Sequence, residues 1–357
     1  MVHAFQTSSH RKKHLDHILV RLVDASGAEG WGEIASPSAP YYGAETTATC
    51  WHIAEEHLLP AVVGAEWDHP ARLRERWGKV RGNHFAAAGV DAAAWTLWAG
   101  AQGVPLAAAL GGTRTEVVAG VSLGIEPTID ALLDQVRRQV DAGYPRVKLK
   151  IAPGWDIEPV RAVRSAFPDL AVHVDANGAY GGGDEEIALL RGLDAFGLLM
   201  IEQPFAPRDL LAHAALQRAV DTPVCLDESV ETVHDLRTAA ALGAGRVLNI
   251  KVSRMGGLTP AVAAHDAAAE YGMAVWCGGM HEFGIGRAAN VALSSLPGFT
   301  LPSDVSASAK YYARDVIAPE VVADKGIVAV PDTPGLGFAV DTAFIAENRR
   351  AEAVVRA

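Results

Sequence analysis

Short runs of β-branched and other apolar residues recur along the second two thirds of the chain, and amphipathic stretches separate them. The runs have the length and composition of strands, and the stretches have the spacing of amphipathic helices. The pattern predicts eight strands, at 117–123, 146–151, 171–176, 198–202, 224–227, 247–252, 274–277 and 299–302. The clearest helices between them are predicted at 129–142, 158–167 and 232–242.

Strands that alternate with helices form parallel sheets, and eight such units favour closure into a (β/α)-barrel of the TIM type. A repeat of this length also occurs in leucine-rich solenoids, but the leucine spacing of those repeats is missing from this chain. We therefore predict an α/β fold with a catalytic barrel over residues 113–320.

The first 112 residues have a different pattern, typical of a smaller α+β unit that we name the capping domain. The pattern predicts a β-hairpin, a helix that ends at Pro60 and an alanine-rich helix, at 17–34, 45–59 and 86–101. Residues 321–357 contain further strand and turn signals, and we expect this last segment to return to the capping domain.

The strand predicted at 146–151 alternates apolar residues with Lys148 and Lys150. The period of a strand places both ammonium groups on one face, where burial is costly unless partner groups surround them. For an isolated pair, an edge strand with a solvated basic face is the simpler interpretation. The charged residues that follow at regular intervals argue against it.

Charged residues end five successive predicted strands, in steps of 25, 27, 25 and 24 residues. They are Lys150, Asp175, Glu202, Asp227 and Lys251. Taken singly, each acid could be a helix cap and each lysine a surface residue. In a (β/α)-barrel, however, catalytic groups gather at the carboxyl ends of the strands. Five charges at consecutive strand ends therefore favour an active site.

Asp175, Glu202 and Asp227 follow the third, fourth and fifth predicted strands, which are neighbours in a barrel. Three adjacent carboxylates repel one another unless a cation joins them. A hard divalent cation with open positions for substrate oxygens suits such ligands. We predict Mg²⁺ at this position, with Mn²⁺ or Co²⁺ as substitutes.

Lys150 and Lys251 end the second and sixth predicted strands, which face each other across a ring of eight. A substrate carboxylate held between them has an amine on each face of its α-carbon. We expect the cation and the second ammonium group to lower the pKa of each lysine. The pattern predicts abstraction of a proton next to a carboxylate, with the metal stabilising the enediolate. One layer deeper, we interpret Lys148 as a supporting residue and His173 as a satisfied core histidine.

The chain has 357 residues and a formal net charge of −11, which argues against nucleic acid as a partner. It contains neither an apolar run of transmembrane length nor a signal peptide, so we expect no membrane attachment. Cys50, Cys225 and Cys277 lack disulfide or zinc spacing, which is typical of a cytoplasmic protein.

Together these motifs resemble the enolase superfamily, and within it the muconate-lactonizing subgroup. They are Lys148-Leu149-Lys150, Asp175-Ala176-Asn177, Glu202-Gln203-Pro204, Asp227-Glu228-Ser229 and Asn249-Ile250-Lys251. Residues 89–95 are similar to the family's helix that joins cap and barrel. The resemblance implies an enolase-like modified barrel with an α+β cap, and it implies supporting roles for Asn177 and Glu228.

Residues 276–287 and 302–308 are similar to o-succinylbenzoate synthases and N-acylamino acid racemases, and 278–282 lacks the D-x-D motif of dipeptide epimerases. The resemblance implies two reactions. One is a syn dehydration that forms o-succinylbenzoate for menaquinone, in which Lys150 moves the proton and Lys251 steadies the enediolate. The other is racemisation of N-acylamino acids such as N-succinylamino acids, with one lysine for each face.

The resemblance also implies a small-molecule carboxylate substrate, a homo-oligomer, and cap loops at 5–9 and 36–43 that close over the substrate. The expected substrate contacts are Phe5, Tyr41, Tyr42, Ser122, Gly278, Gly279, Met280, His281 and Ser306. His281 stands where an aliphatic residue is commoner in the family. The chain also begins beyond the family's usual first cap strand, so we expect one edge strand fewer.

Two alternatives to a racemase or synthase stay open at this point. A muconate-type cycloisomerase uses the same scaffold. A catalytically silent barrel that serves as a binding module belongs to a different class of protein. The intact set of five charges argues against the silent barrel, because buried like charges are costly to keep without a function.

Overall fold

The computed structural model describes residues 1–2, 5–8 and 11–356, without the side chain of Lys12. The strands are β1 (Phe5–Gln6), β2 (Arg11–Lys12), β3 (Ile18–Val23), β4 (Glu29–Ile34), β5 (Glu116–Val118), β6 (Val121–Leu123), β7 (Arg146–Lys150), β8 (Ala171–Asp175), β9 (Ile201–Glu202), β10 (Val224–Leu226), β11 (Val247–Ile250), β12 (Ala274–Cys277), β13 (Ile317–Ala318), β14 (Ile327–Ala329) and β15 (Ala339–Val340).

The α-helices are α1 (Thr47–Ile53), α2 (Leu59–Val62), α3 (Pro70–Leu73), α4 (His84–Ala101), α5 (Leu106–Ala109), α6 (Ile129–Asp141), α7 (Ile157–Ala166), α8 (Asp184–Arg191), α9 (Leu210–Ala219), α10 (Val233–Leu242), α11 (Val252–Met255), α12 (Leu258–Glu270), α13 (Gly284–Ser294) and α14 (Thr342–Asn348). A π-helical segment and three 3₁₀ turns complete the helices, at Ala54–Leu58, Arg74–Trp77, Gly192–Phe196 and Ser308–Lys310. Among the described residues, none of these helices is both long and apolar enough to cross a membrane.

A parallel sheet that curls into a modified barrel forms the larger part of the structure. Within the described residues it has seven strands, in the order β6-β7-β8-β9-β10-β11-β12. Buried apolar side chains from these strands and from their helices form the largest core cluster. The predicted barrel fold with a separate cap is thus confirmed, and helices α6, α7 and α10 begin and end within about one residue of their predicted bounds.

The prediction of an eighth strand at 299–302 is wrong. Single bridges of Phe299 to Val275 and of Ser303 to Ala119 join the two ends of the sheet instead. Two local features explain the difference. Thr300 donates its N–H to Gly298 within a turn, and Pro302 has no N–H for a strand ladder.

The first predicted barrel strand, 117–123, is divided into β5 and β6. β5 pairs antiparallel with β14, whereas β6 joins the parallel sheet beside β7. Between them, Ala119 donates its N–H to Gly326 and Gly120 donates to Ser303. The chain therefore changes hydrogen-bond partners at these two residues.

The register of the parallel sheet aligns the predicted site residues. Lys150 lies opposite Asp175, and Asp175 lies opposite Glu202. Glu202 in turn lies opposite Cys225, two residues before Asp227. Because parallel strands share the direction of their carboxyl ends, these charges reach one end of the barrel at nearly the same level.

In the capping domain, β3 and β4 form the predicted hairpin, with Ile18 opposite Ile34. The long helix α4 lies directly on it. A Cβ atom at Gly32 would lie 2.0 Å from the carbonyl oxygen of Gly89, so only glycine permits this close approach.

The prediction that a helix ends at Pro60 is wrong. After α1, which begins with a capping box of Thr46 and Thr49, the π-helical segment leads into α2 and the helix continues to Val62. Pro60 lies directly after the junction between the π-helical segment and α2, and it does not end the helix.

The C-terminal segment contacts both the barrel and the capping domain. Leu106 donates its N–H to Gly335, and Gly335 donates to Val104. Arg350 forms an ion pair of 2.9 Å with Asp16. The division into 1–112, 113–320 and 321–357 stays a prediction. So does the missing edge strand, because His3 and Ala4, on which part of that prediction falls, lie outside the described residues. Ser9, the last residue of the predicted closing loop 5–9, lies outside them too.

Carboxylates of the capping domain complete the N-termini of two barrel helices that have no capping side chain of their own in the described structure. Asp91 of α4 accepts the N–H of Thr259 in α12 at 3.0 Å. Glu33 of β4 accepts the N–H groups of Phe283 and Gly286, at the start of α13, both at 2.8 Å. Such contacts satisfy donors that helix starts leave unpaired, so they fix the cap on the barrel.

We predict that Asp91 makes stability depend on pH. Burial, only partly offset by Arg74, raises its pKa to about 6, so the folded state holds this proton more tightly than the unfolded chain does. Relative to Asp91→Asn, the parent should lose up to ~3 kcal/mol of unfolding free energy as the pH rises from about 4 to 6, and no more above that. Urea unfolding of both proteins across this range measures the difference, and parallel pH profiles would contradict the prediction.

Candidate active site

A cavity of about 260 Å³ lies at the carboxyl ends of the barrel strands, and residues from both the capping domain and the barrel line it. Its lining comprises Phe5, Thr7, Tyr41, Tyr42, Ser122, Lys148, Lys150, Asn177, Pro207, Glu228, Lys251, Gly279, Met280, His281, Glu282, Arg287, Asp304 and Tyr311. Both predicted catalytic lysines therefore line one cavity.

Lys150 and Lys251 reach this cavity from opposite sides. Three strands, β8, β9 and β10, separate β7 from β11 in the curled sheet. The two side chains are nearly buried, at 7% and 6% exposure. Lys150 donates to Asp175 at 2.5 Å and to Asn177 at 2.6 Å. Lys251 donates to Asp227 at 2.7 Å.

Acidic neighbours dominate the charge environment of Lys251. Burial lowers its pKa, but the neighbouring Asp227 carboxylate and Tyr42 outweigh that effect, and the net pKa is well above the ordinary value. A carboxylate directly beside an ammonium group favours its charged form. Our expectation of a lowered pKa concerns the lysines with a cation bound among the acids, and it stays a prediction.

The three predicted metal ligands lie at adjacent strand ends, and cationic side chains hold each of them. Glu202 accepts hydrogen bonds from Lys148 at 3.1 Å and from Asn249 at 2.7 Å. Burial and the charge of Glu202 raise the pKa of Asp175. For Asp227, burial would raise the pKa, but Lys251 and then Arg254 lower it well below the usual range.

In the part of the chain that the structure describes, no three acidic, histidine or cysteine side chains already stand as a metal cage. The donor set nevertheless fits a hard cation. Burial and the charge of Asp227 raise the pKa of the adjacent Glu228 to about 8, and its buried Oε2 atom has no hydrogen-bond partner among the described residues. Asn177 donates to the other oxygen of Glu228 at 2.9 Å. Such crowded carboxylate oxygens are the ligands that divalent cations such as Mg²⁺ prefer.

Part of the cavity lining is a charged layer whose main acid, Asp304, our sequence analysis missed. Asp304 accepts hydrogen bonds from Arg146 and from Ser122, both at 2.8 Å, and forms a 3.1 Å ion pair with Lys148. Lys148 and Arg146 also lie over the ring of Trp276, at 4.7 and 5.2 Å from its centroid. In the sequence, Asp304 is marked only by its position just after the stretch 299–302, the last predicted barrel strand.

The interpretation of His173 as a satisfied core residue is wrong. Its ring is buried beside Trp276, with 5.3 Å between centroids, but neither ring nitrogen has a hydrogen-bond partner among the described residues. Burial, with Arg146 and Lys148 nearby, holds its pKa well below the ordinary value. The residue is therefore neutral, and its 3.4 Å approach to Glu202 is not an ion pair.

Seven of the nine predicted substrate contacts line the cavity: Phe5, Tyr41, Tyr42, Ser122, Gly279, Met280 and His281. Gly278 and Ser306 are not among the described lining residues, and their predicted substrate contacts stay predictions. A Cβ atom at Gly278 would lie 2.2 Å from Asn249. Ser306 donates to Tyr311, at 3.3 Å.

Tyr42 does more than line the cavity. Its hydroxyl donates to Asp227 at 3.0 Å and accepts a hydrogen bond from Lys251 at 3.2 Å. Arg254, which our sequence analysis also missed, donates to Asp227 from the first turn after Lys251. A residue of the capping domain thus contacts both an acid and a lysine of the predicted site.

His281 has a left-handed backbone, with a φ of 65°, and Tyr312 donates its hydroxyl to the His281 carbonyl. Its ring contacts Phe5 and Tyr311 edge-on, at 4.7 and 5.1 Å between centroids. Few non-glycine residues adopt this backbone conformation, and these contacts contribute to holding it.

Comparison with known proteins agrees with this geometry. A family model described as the enolase C-terminal domain-like family matches residues 131–344. Another, described as the mandelate racemase / muconate lactonizing enzyme N-terminal domain, matches residues 1–111. The chain therefore belongs to the enolase superfamily. Members of this superfamily typically use a divalent metal ion.

Individual relatives are similar over nearly the whole chain. An o-succinylbenzoate synthase of Geobacillus kaustophilus is 48% identical over 94% of this chain and 89% of its own. An N-succinylamino acid racemase of Amycolatopsis is 45% identical over 95% and 91%. A solved enolase superfamily structure from Listeria innocua has a TM-score of 0.94 and 37% identity, and the match covers 98% and 94%. Muconate cycloisomerase 1 of Rhodococcus opacus is more distant, at 31% identity over 94% of this chain and 91% of its own.

We predict that Asp304→Asn lowers the free energy of unfolding by ~3–5 kcal/mol, because it leaves buried Arg146 and Lys148 without their shared counter-charge. Ser122→Ala is the matched control. It removes one hydrogen bond to the same carboxylate and should cost only ~1 kcal/mol. Urea unfolding measures both variants, and equal losses would show that Asp304 does not act through its charge.

Proposed function

We propose that this chain removes the proton next to a substrate carboxylate, as an N-succinylamino acid racemase, an o-succinylbenzoate synthase, or both. The observation that carries the proposal is the pair of nearly buried lysines, Lys150 and Lys251, that reach one cavity from strands on opposite sides of the barrel. Relatives with these two activities, at 45–48% identity, support it.

In racemisation, one lysine as the free amine accepts the α-proton from one face of the substrate. The ammonium group of the other lysine then donates a proton to the opposite face. In the dehydration, Lys150 accepts the α-proton and returns it to the leaving hydroxide, while the Lys251 ammonium group stabilises the enediolate. The same two side chains therefore serve either reaction, and the substrate decides which reaction occurs.

We assign Asp175, Glu202 and Asp227 as ligands of Mg²⁺, with Glu228 and Asn177 beside them. Bound there, the cation would supply positive charge that stabilises the enediolate. Lys148 and Asn249 orient Glu202 from below, and Asn177 orients Glu228. Lys148 also contacts Asp304 at 3.1 Å and Asp175 at 3.5 Å, and it shares Asp175 with Lys150.

The capping domain closes the site in this proposal. Phe5, Tyr41 and Tyr42 cover the cavity from above, and Met280 and His281 form its side wall. These residues exclude water and contact the part of the substrate that differs between an acylamino acid and a cyclohexadiene carboxylate. The substrate class is a small carboxylate with an acidic α-proton.

A muconate-type cycloisomerase is the second candidate, since that enzyme shares the scaffold. The lower identity to such a relative, 31%, makes it the weaker one. We also propose a role in menaquinone formation, a cytoplasmic location and a homo-oligomeric state. The three free, buried cysteines are consistent with a reducing compartment.

The proposal predicts exchange of the α-proton of an N-succinylamino acid for deuterium in ²H₂O, in the presence of Mg²⁺. Lys251→Ala should lower racemisation by ~10²–10⁴-fold, because one face loses its acid–base group. Lys79→Ala, at an exposed lysine that is not part of the cavity lining, is the control and should keep the parental rate. Proton NMR and polarimetry follow the two processes.

Racemisation of both enantiomers by Lys251→Ala at the parental rate would exclude the two-base mechanism. If none of the tested carboxylates exchanges its α-proton, the result would instead favour a silent barrel. Assays of an N-succinylamino acid, the cyclohexadiene carboxylate and muconate on one preparation separate racemase, synthase and cycloisomerase.

Tyr42→Phe should lower kcat by ~10-fold while the variant stays folded, since it removes one hydroxyl that contacts both Lys251 and Asp227. Tyr41→Phe is the control on the adjacent residue and should have a smaller effect on kcat. Steady-state kinetics with either substrate measure both variants. Equal kcat values for Tyr42→Phe and the parent would show that the hydroxyl does not position these groups.

A further inference from the structure

Gln203 is a fully buried amide between the ends of two strands that carry predicted metal ligands. It directly follows Glu202 at the end of β9, and its side chain reaches the residues after β10. Its backbone has a φ of 37°, in the left-handed region that few residues other than glycine adopt. A strained and fully buried polar residue beside a candidate site requires a specific reason.

The amide oxygen of Gln203 holds the backbone that carries Asp227. It accepts the N–H of Asp227 at 2.9 Å and the N–H of Ser229 at 3.2 Å. Ser229 is therefore held by Gln203, and Thr232 caps the next helix. These bonds tie the Asp227 main chain to the residue that follows Glu202.

The amide nitrogen of Gln203 faces acceptors. It donates to the hydroxyl of Ser229 at 2.7 Å and to the carbonyl of Phe205 at 3.0 Å. It also lies 3.2 Å from Nε2 of His213, on helix α9 of the outer ring. If the amide were reversed, its N–H groups would point at the N–H groups of Asp227 and Ser229.

The tautomer of His213 follows from its partners. Nδ1 lies 2.7 Å from the carbonyl oxygen of Asp209, which can only accept, so Nδ1 carries the proton. Burial lowers the pKa of His213, so the ring is neutral and its Nε2 atom is an acceptor. An acceptor at this position favours the amide orientation that presents oxygen to Asp227.

We propose that His213 and Gln203 are positioning residues that fix the Asp227 carboxylate relative to Glu202, from the outer helix ring inward. His213 orients the amide, and the amide holds the main chain of Asp227. This inference rests on the proposed metal site, and neither residue lines the cavity among the described residues. Partners outside the first ligand shell commonly change metal affinity or activity by 10–100-fold.

Mn²⁺ binding, followed by electron paramagnetic resonance with no substrate present, tests the proposal. We expect His213→Phe and Gln203→Leu to weaken Mn²⁺ binding by ~10-fold or more. His213→Gln can place an amide oxygen near the position of Nε2 and should bind within ~3-fold of the parent. In His213→Asn the side chain is too short to reach the Gln203 amide, so this variant should bind Mn²⁺ as weakly as His213→Phe.

His265→Phe is the matched control, because His265 is also a buried helix histidine that accepts a backbone N–H, from Gly298 at 3.0 Å. It should leave Mn²⁺ binding unchanged. Thermal unfolding identifies variants that lose the fold. Equal Mn²⁺ affinities for folded His213→Gln and His213→Asn would overturn the proposal.

Crystal structures separate this inference from the proposed function. In His213→Phe or His213→Asn, the Gln203 amide should turn or its bond to the Asp227 N–H should lengthen beyond 3.5 Å, a loss of contact by ordinary hydrogen-bond geometry. An unchanged Gln203–Asp227 contact would refute the positioning role, whether or not the parent binds Mn²⁺. Failure of the parent to bind Mn²⁺, with the structural change present, would instead count against the metal site.

Discussion

The structure depends on the mutual compensation of buried charges inside the barrel. Lys148 is the clearest case, with Glu202 and Asp304 each 3.1 Å away and Asp175 at 3.5 Å. Burial lowers the pKa of its ammonium group, and the three carboxylates raise it above the ordinary value. Since each buried ion costs several kcal/mol to desolvate, the layer is stable only when every charge has its partners.

The same compensation creates the reactive part of the cavity. The lysines and acids that we assign to chemistry are also one another's counter-charges, as Lys150 with Asp175 and Lys251 with Asp227 show. The ring of Trp276 lies against the ammonium group of Lys148, and the hydroxyl of Tyr42 accepts a hydrogen bond from Lys251. A cation added among the acids would therefore change the hydrogen-bonding of both lysines at once.

The capping domain is held to this charged centre by backbone capping as well as by apolar packing. Glu33 accepts N–H groups at the start of α13, directly after the wall residues Met280 and His281. Asp91 does the same at α12, which follows shortly after Lys251. The orientation of the cap is thus tied to the two barrel segments that line the cavity, and closure of the site and stability of the interface share the same contacts.

Some of this architecture follows from the sequence alone. The regular alternation of strands and helices predicts the barrel, and the period of a strand places Lys148 and Lys150 on one face. The spacing of the strand ends brings five charges to one rim. These features depend on local periodicity and on the regular alignment of parallel strands. Both can be recognised from short stretches of sequence.

Other features were decided only by the tertiary structure. The eighth strand is replaced by single bridges because a turn at Thr300 and the missing N–H of Pro302 break the ladder. Asp304 pairs with Lys148 across 156 residues of chain, and Tyr42 meets Lys251 across 209. Gln203 accepts the N–H of Asp227, and His213, on another helix, lies against the same amide. No local pattern records such contacts, because they depend on which side chains the closed barrel and its cap bring within hydrogen-bonding distance.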